Sequence, residues 1–84
     1  SYINNMNGEQ MQKFKLGELV TLSSAGMKNN HNYGYETGFG IVVKYKHFAR
    51  FPYELRWFNK CKTNKEFNAK EYELKRHKVI NENR

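Results

Sequence analysis

Residues 40–58, GIVVKYKHFARFPYELRWF, contain the two clearest strands of the chain and decide its fold. Both Gly40–Lys46 and Tyr53–Phe58 combine β-branched and aromatic side chains with alternating polarity, which is typical of half-buried strands. Pro52 stands at the entrance of the second strand, where its missing N–H does least harm. Alternation predicts that every second side chain shares one buried face. The residues assigned to that inner face are Ile41, Val43, Tyr45, Tyr53, Leu55 and Trp57.

One register of this hairpin satisfies the predicted faces. It pairs Val43 with Trp57, Tyr45 with Leu55, Lys44 with Arg56 and Lys46 with Glu54. Lys44 opposite Arg56 is a like-charge pair, unfavourable by roughly 0.2 to 1 kcal/mol unless an anion bridges the two side chains. A bound phosphate would remove that repulsion. The alternative is that both long side chains splay into water at negligible cost.

Three further short strands are predicted around the hairpin. They are Phe14–Leu22, Lys65–Ala69 with Phe67 facing inwards, and Leu74–Lys78, which follows one helical turn at Lys70–Glu73. Residues 23–38 contain three glycines and three asparagines without any period, and this indicates a long loop that is either functional or partly disordered. Residues 1–13 are expected to form a polar arm or short helix, and residues 79–84 a polar tail. The fold class predicted for residues 14–78 is all-β with five strands.

Four short motifs are spaced along residues 14–78. They are Gly17-Glu18-Leu19-Val20, Gly38-Phe39-Gly40-Ile41-Val42, Leu55-Arg56-Trp57 and Tyr72-Glu73-Leu74. In this spacing the chain resembles the SH3-like, Sm-like, Tudor and KOW small β-barrels, and it is similar to short uncharacterised proteins of marine bacteriophages. The resemblance implies a strongly bent SH3-like barrel and a phage origin. In Tudor relatives such a fold carries an aromatic cage for methylated lysine, for which His31, Tyr33 and Tyr35 are the candidates.

Length and composition bound the possible functions. The 84 residues include thirteen Phe, Tyr and Trp side chains, enough to build one modest core from few residues. No apolar run approaches the ~20 residues that span a bilayer, and the start lacks a secretory pattern, so an intracellular protein is expected, in the host cytoplasm if it is viral. The lone Cys61 excludes an internal disulfide. Self-assembly into a ring or dimer stays open as a way to stabilise so small a domain.

The positive charge is unevenly distributed. Residues 39–84 hold twelve Lys and Arg against five Glu, and therefore the whole net charge of +7. A basic half favours a polyanionic partner, although a lysine-rich soluble surface is the alternative. Within this half, residues 47–52 interleave Phe48 and Phe51 with Arg50, and aromatic rings stack on bases at ~1 to 3 kcal/mol per base. Those rings could instead fold back over the domain or lie in a subunit contact.

These observations predict a non-catalytic module that binds nucleic acid with little sequence preference. The candidate nucleic-acid-binding residues are Lys44, Lys46, Phe48, Arg50, Phe51 and Arg56. The alternative is a protein interaction or assembly module that forms a homo-oligomer. An enzyme is not expected, because His31, His47 and His77 are far apart in sequence and the chain has no Asp. No catalytic residue, metal, cofactor, membrane contact or small-molecule substrate is predicted.

Overall fold

The structure is a computed structural model that describes residues 12–77. It contains five strands, one short α-helix and two 3-10 helices. In chain order these are β1 (Leu19–Leu22), α1 (Ser24–Met27), η1 (Asn30–Asn32), β2 (Phe39–Tyr45), β3 (Tyr53–Phe58), β4 (Lys65–Ala69), η2 (Glu71–Glu73) and β5 (Leu74–Arg76). The predicted arm and tail lie outside the described residues, except for the last two residues of the arm. The same holds for Lys78, the predicted end of the last strand.

All five strands belong to one antiparallel sheet in the order β4-β3-β2-β1-β5. This confirms the all-β prediction. The sheet is not closed, because β4 and β5 form its two edges. Within residues 12–77 no helix has the length and apolar character needed to cross a membrane.

The chain before β1 folds differently from the prediction. Strand pairing begins at Leu19 and not at Phe14, because Gly17 adopts a positive φ of 87° in a turn closed by the Glu18 N–H on the Lys15 carbonyl. Phe14 is nevertheless fully buried. Its N–H and that of Lys13 donate to the Tyr53 hydroxyl at 3.1 and 2.8 Å. This segment therefore belongs to the core without belonging to the sheet.

The core lies on one face of the sheet and has β3 at its centre. Tyr53, Leu55 and Trp57 are fully buried, which confirms their predicted inward orientation. The flanking strands add inward side chains, among them the predicted Phe67. The complete buried apolar set is Phe14, Val20, Leu22, Val42, Tyr53, Leu55, Trp57, Phe67, Ala69 and Leu74.

The predicted inner face of β2 is wrong at Ile41 and Val43 and correct at Tyr45, and a β-bulge is the reason. The register shifts between Val42 and Lys44, so that Val42 is buried whereas Val43 is 41% exposed. An extra residue at a bulge reverses the alternation, and it allows Tyr45 to return to the core side. The observed pairs are Gly40 with Trp57, Val42 with Leu55, Lys44 with Glu54 and Tyr45 with Tyr53.

The long loop, residues 23–38, packs over the core side of β3 and β4. Tyr35 stacks on Phe67 with ring centroids 4.0 Å apart and meets Trp57 edge-on at 5.7 Å. The Trp57 indole N–H donates to the Thr37 carbonyl at 2.9 Å. The loop is therefore fixed by aromatic packing and by a hydrogen bond that satisfies the one polar atom of a buried ring.

The start of the long loop is joined to η2 through Glu73. Gly26 lies against the Glu73 backbone so closely that a Cβ at position 26 would overlap the Glu73 carbonyl. The Glu73 carboxylate accepts hydrogen bonds from the side chains of Asn29 (2.6 Å) and Asn32 (3.2 Å) and from the Lys70 N–H (2.8 Å). These contacts position the loop beside the segment that leads into β5.

Candidate nucleic-acid interface

The aromatic loop, residues 47–52, connects β2 to β3 at one end of the sheet. The Lys46 N–H donates to the Pro52 carbonyl at 2.8 Å and closes the loop. Phe48 is 95% exposed, and its ring touches only the neighbouring His47 ring among the aromatic contacts of residues 12–77, at 4.5 Å. The structure therefore supports the predicted exposure of this ring and not its folding back over the domain.

Phe51 lies among cations at the same end of the molecule. Arg50 is 5.9 Å and Lys70 is 5.4 Å from its ring centroid, within the range of a cation–π contact. The His31 ring meets Phe51 edge-on at 6.1 Å. We call Phe48, Phe51, Arg50, Lys70 and His31 the aromatic cluster. It presents two phenyl rings and two permanent positive charges.

The predicted pairing of Lys44 with Arg56 is wrong. The bulge in β2 shifts the register, so that Lys44 lies opposite Glu54 and Arg56 lies between Ile41 and Glu66. Every second residue of β3 points away from the core, and Glu54 and Arg56 are on that outer face. Lys44 and Arg56 therefore do not form the like-charge pair that a phosphate would bridge.

The outer face carries charges of both signs. Lys46 Nζ is 3.7 Å from Glu54 Oε1 and donates to Asn68 Oδ1 at 3.4 Å. Arg56 Nη1 donates to the Asn64 carbonyl at 3.4 Å. The six predicted binding residues are thus divided. Phe48, Arg50 and Phe51 are together in the aromatic loop, while Lys44, Lys46 and Arg56 are on or near an outer face whose cations alternate with carboxylates.

Sequence reasoning missed Lys70 and His31 as members of the aromatic cluster. Each is about twenty residues from Phe51 along the chain, and only tertiary packing brings the three together. The Glu73 contacts place η1 and the start of η2 side by side, which explains how His31 and Lys70 reach the same ring. No local pattern in the sequence indicates this arrangement.

The electrostatics behind the cluster are dominated by Glu73, which is 1% exposed. Burial by itself raises the pKa of a carboxyl group. Here the Lys70 N–H, the amides of Asn29 and Asn32 and the nearby His31 outweigh burial, and the pKa of Glu73 is lowered from 4.5. His31 Nε2 is 3.4 Å from Glu73 Oε2. A negative charge is therefore held beneath the cluster, with hydrogen-bond donors around it.

A second concave region lies at the other end of β3, between the long loop and the turn at residues 59–64. We call it the hairpin cleft. It has a volume of about 430 Å³ and is lined by Tyr33, Gly34, Glu36, Thr37, Asn59, Lys60, Cys61 and Lys62. Asn59 fixes its floor, because its side-chain amide donates to the carbonyls of Gly34 (3.0 Å) and Thr37 (3.2 Å).

The aromatic cage suggested by the Tudor resemblance is not assembled. Tyr35 is packed against Phe67, and Lys62 Nζ lies 4.8 Å from the centroid of the Tyr35 ring. Tyr33 is 84% exposed and lines the hairpin cleft, whereas His31 contacts Phe51. The three rings therefore lie in three different environments and do not surround one common ligand position.

Among residues 12–77 no three His, Cys, Asp or Glu side chains are close enough to hold a metal ion. Cys61 is an exposed free thiol at the tip of the turn between β3 and β4. Comparison of the chain with protein-family models, with curated proteins and with solved structures finds no significant match.

Proposed function

We propose that this protein is a non-catalytic module that binds single-stranded nucleic acid through the aromatic cluster. The observation that carries the proposal is the 95% exposed Phe48 ring in the same loop as Phe51, whose ring has both Arg50 and Lys70 within cation–π distance. A ring so exposed contributes little to the core and is available for stacking. Two cations next to two rings match the alternation of bases and phosphates along a single strand.

The same arrangement supports binding with little sequence preference. Every base has a π-face, so a phenyl ring stacks on any of them. Within residues 12–77 the cluster offers Arg50 and Lys70 as its permanent charges, and both suit phosphate oxygens. Phenyl rings carry no hydrogen-bonding group with which to read a base edge.

We also propose that the fold is an SH3-like barrel whose sheet is strongly bent at the β2 bulge. Five short antiparallel strands, the long connection between β1 and β2, and the single turn of η2 before β5 support this assignment. The core on one face of the sheet, covered by the long loop, is consistent with it. We further propose that the protein is of phage origin, as its resemblance to phage proteins implies, and that it acts inside the cell.

Fluorescence anisotropy with a labelled oligothymidylate tests the proposed function. At about 50 mM salt we expect binding, and Phe48→Ala should weaken it roughly 5- to 150-fold through loss of one stacked base. Arg56→Ala is the matched control, because it removes a cation from the outer face. It should leave affinity nearly unchanged.

Two results would contradict this assignment. Absence of binding by the wild-type protein at low salt would reject the function itself. An equal loss in Arg56→Ala and Phe48→Ala would instead restore the broader site predicted from the sequence. Far-ultraviolet circular dichroism of each variant confirms that a loss of affinity is not a loss of fold.

Self-association is the second candidate function, and one observation favours it. The outer face of β1, β2 and β3 carries a row of half-buried apolar side chains, which are Leu19, Ile41, Phe39 and Phe58. A second copy could cover this row. Light scattering tests self-association. If the protein is an oligomer and Ile41→Lys dissociates it, the outer face is the contact. If Phe48→Ala dissociates it, the aromatic loop is the contact. A monomer at about 100 μM, far above a micromolar Kd, rejects self-association.

A further inference from the structure

We propose that a bound strand continues from the aromatic cluster along the long loop into the hairpin cleft, so that the interface extends over both ends of β3. This inference rests on the proposed function and specifies its ligand. The ligand would be a single strand long enough to reach both regions, and a mononucleotide or very short oligonucleotide would occupy only one of them.

The hairpin cleft has the same chemistry as the aromatic cluster. Tyr33 is 84% exposed, and its backbone N–H donates to the Asn30 carbonyl at 3.1 Å, so the backbone is held while the ring is free to stack. Lys60 and Lys62 line the cleft beside it. Within residues 12–77 neither lysine forms a salt bridge. One exposed ring with two cations gives the cleft the same kinds of side chain as the aromatic cluster, which has an exposed Phe48 ring and the cations Arg50 and Lys70 around Phe51.

The one carboxylate of the cleft is already engaged. Glu36 Oε1 accepts the Gly34 N–H at 2.8 Å, within its own stretch of the long loop. Lys62 Nζ lies over the Tyr35 ring, which fixes the position of this charge at the cleft. The cleft therefore keeps an excess of positive charge next to an exposed ring, as a phosphate-bearing ligand requires.

The long loop connects the two regions directly. His31 contacts Phe51 of the aromatic cluster, and the Gly34 carbonyl accepts the Asn59 amide at the cleft. Two residues, Asn32 and Tyr33, lie between His31 and Gly34, whose Cα atoms are therefore at most about 11 Å apart. Tyr33 lies between these two residues, so the exposed ring of the cleft is close in the chain to the residue that contacts the aromatic cluster.

The distance between the regions sets the length of the ligand. The aromatic loop precedes β3 and the hairpin turn follows it, and six residues of strand extend over about 20 Å. At a rise of about 3.4 Å per nucleotide a strand needs about six nucleotides to span this distance, and a more extended strand needs fewer. This length falls within the site sizes of about 4 to 16 nucleotides found for single-strand binding folds.

Cys61 provides a direct probe of the cleft, because it is exposed there and is the only cysteine in the chain. The experiment measures the rate at which the wild-type thiol reacts with a maleimide, with and without saturating oligothymidylate. We expect protection by a strand of about twelve nucleotides and little by one of about three, which cannot occupy both regions at once and binds first at the aromatic cluster, where two rings are available against one in the cleft. Saturation is verified independently by anisotropy with the same oligonucleotides.

Variants then identify the residues responsible. Tyr33→Ala should weaken binding of the longer strand roughly 5- to 150-fold and leave the short strand unaffected. Lys60→Gln should reduce the slope of log affinity against log salt by about 0.7 for the longer strand only. Lys44→Gln, which removes an exposed cation from β2, is the matched control and should change neither quantity.

The outcomes separate the two proposals. If both strands bind in a Phe48-dependent way but Cys61 reacts at its free rate and Tyr33→Ala is silent, the extended path is rejected and the proposed function stands. If no oligonucleotide binds, both fall. If poly-glutamate protects Cys61 as well as the longer strand does, the cleft responds to polyanions in general, and a path for stacked bases is rejected.

Discussion

Glu73 is a carboxylate almost without contact with water, and it holds two parts of the chain together. Asn29 and Asn32 reach it from the long loop, while the Lys70 N–H reaches it from the turn before β5. A buried charge is costly unless several donors surround it, and here they do. His31 contacts both Glu73 and Phe51. Through His31, Glu73 therefore also positions the aromatic cluster.

Replacing Glu73 tests this role through the pH dependence of stability. Its folded-state pKa lies below 4.5, so its stabilising contribution is present above the unfolded-state pKa and is lost as the pH falls through the folded-state value. Glu73→Gln keeps the size but places an amide N–H₂ among donors. We expect the free energy of unfolding to fall by about 1 to 3 kcal/mol at neutral pH.

Urea denaturation of wild type and variant at about pH 7 and about pH 3 is the measurement. The difference in unfolding free energy should shrink at the lower pH, which lies below the pKa of Glu73 in the unfolded chain, because unfolding then takes up a proton that the hydrogen-bonded carboxylate resists. Glu66→Gln, at an exposed position of β4, is the control and should have little effect at either pH. A difference that stays constant between the two pH values would show that the charge of Glu73 contributes nothing.

At the scale of elements, β2 determines which side chains form the core. Strict alternation with Ile41 inwards would bury Val43 and Tyr45, but the observed strand buries Val42 and, after the bulge, brings Tyr45 to the same side. Gly40 fits the arrangement because the Trp57 ring occupies the space of a Cβ at that position. The strand is thus bent around the largest side chain of the core.

The two neighbouring valines give a clear test of this register. Val42→Ala removes buried methyl groups and should lower the free energy of unfolding by about 2 kcal/mol. Val43→Ala acts on a side chain that is 41% exposed and should cost within about 0.5 kcal/mol. Chemical denaturation of both variants measures the difference. A larger loss at Val43 would favour the unbroken alternation predicted from the sequence.

The elements differ in how far their sequence determines them. The faces of β3 and the inward Phe67 of β4 are predictable because those strands keep a strict period of two. The bulge in β2 is not, since it depends on tertiary pairing: Val42 lies opposite Leu55, and Tyr45 packs on Tyr53. The prediction that β1 begins at Phe14 is wrong for a local reason, which is the turn at Gly17. The alternating pattern of the sequence does not indicate this turn.

At the scale of the whole molecule, the net charge of +7 is divided between unlike surfaces. On the outer face Lys44, Lys46 and Arg56 are next to Glu54 and Glu66. On the side of the long loop, Arg50 and Lys70 adjoin the half-buried Phe51 ring. The composition predicted a polyanionic partner, and the aromatic loop could be singled out from its residues. Which cations accompany it depends on the register and on tertiary contacts.

Salt dependence tests this division of charge. If Arg50, Lys70, Lys60 and Lys62 contact about four phosphates, the slope of log affinity against log salt should be near −3 on a single strand. Arg50→Gln combined with Lys70→Gln should bring it to about −1.5. Anisotropy titrations between about 50 and 300 mM salt measure both slopes. An unchanged slope in the double variant would mean that the binding charge lies elsewhere, with the lysines of the outer face as the alternative.

The close approach of Gly26 to the backbone of Glu73 has an evolutionary consequence. Even a methyl group at position 26 would push the long loop away from η2, so natural selection should keep that position a glycine in any homologue that preserves this junction. The Asn29–Asn32–Glu73 set should covary as one unit, while the exposed rings at positions 33 and 48 remain free to diverge with the ligand.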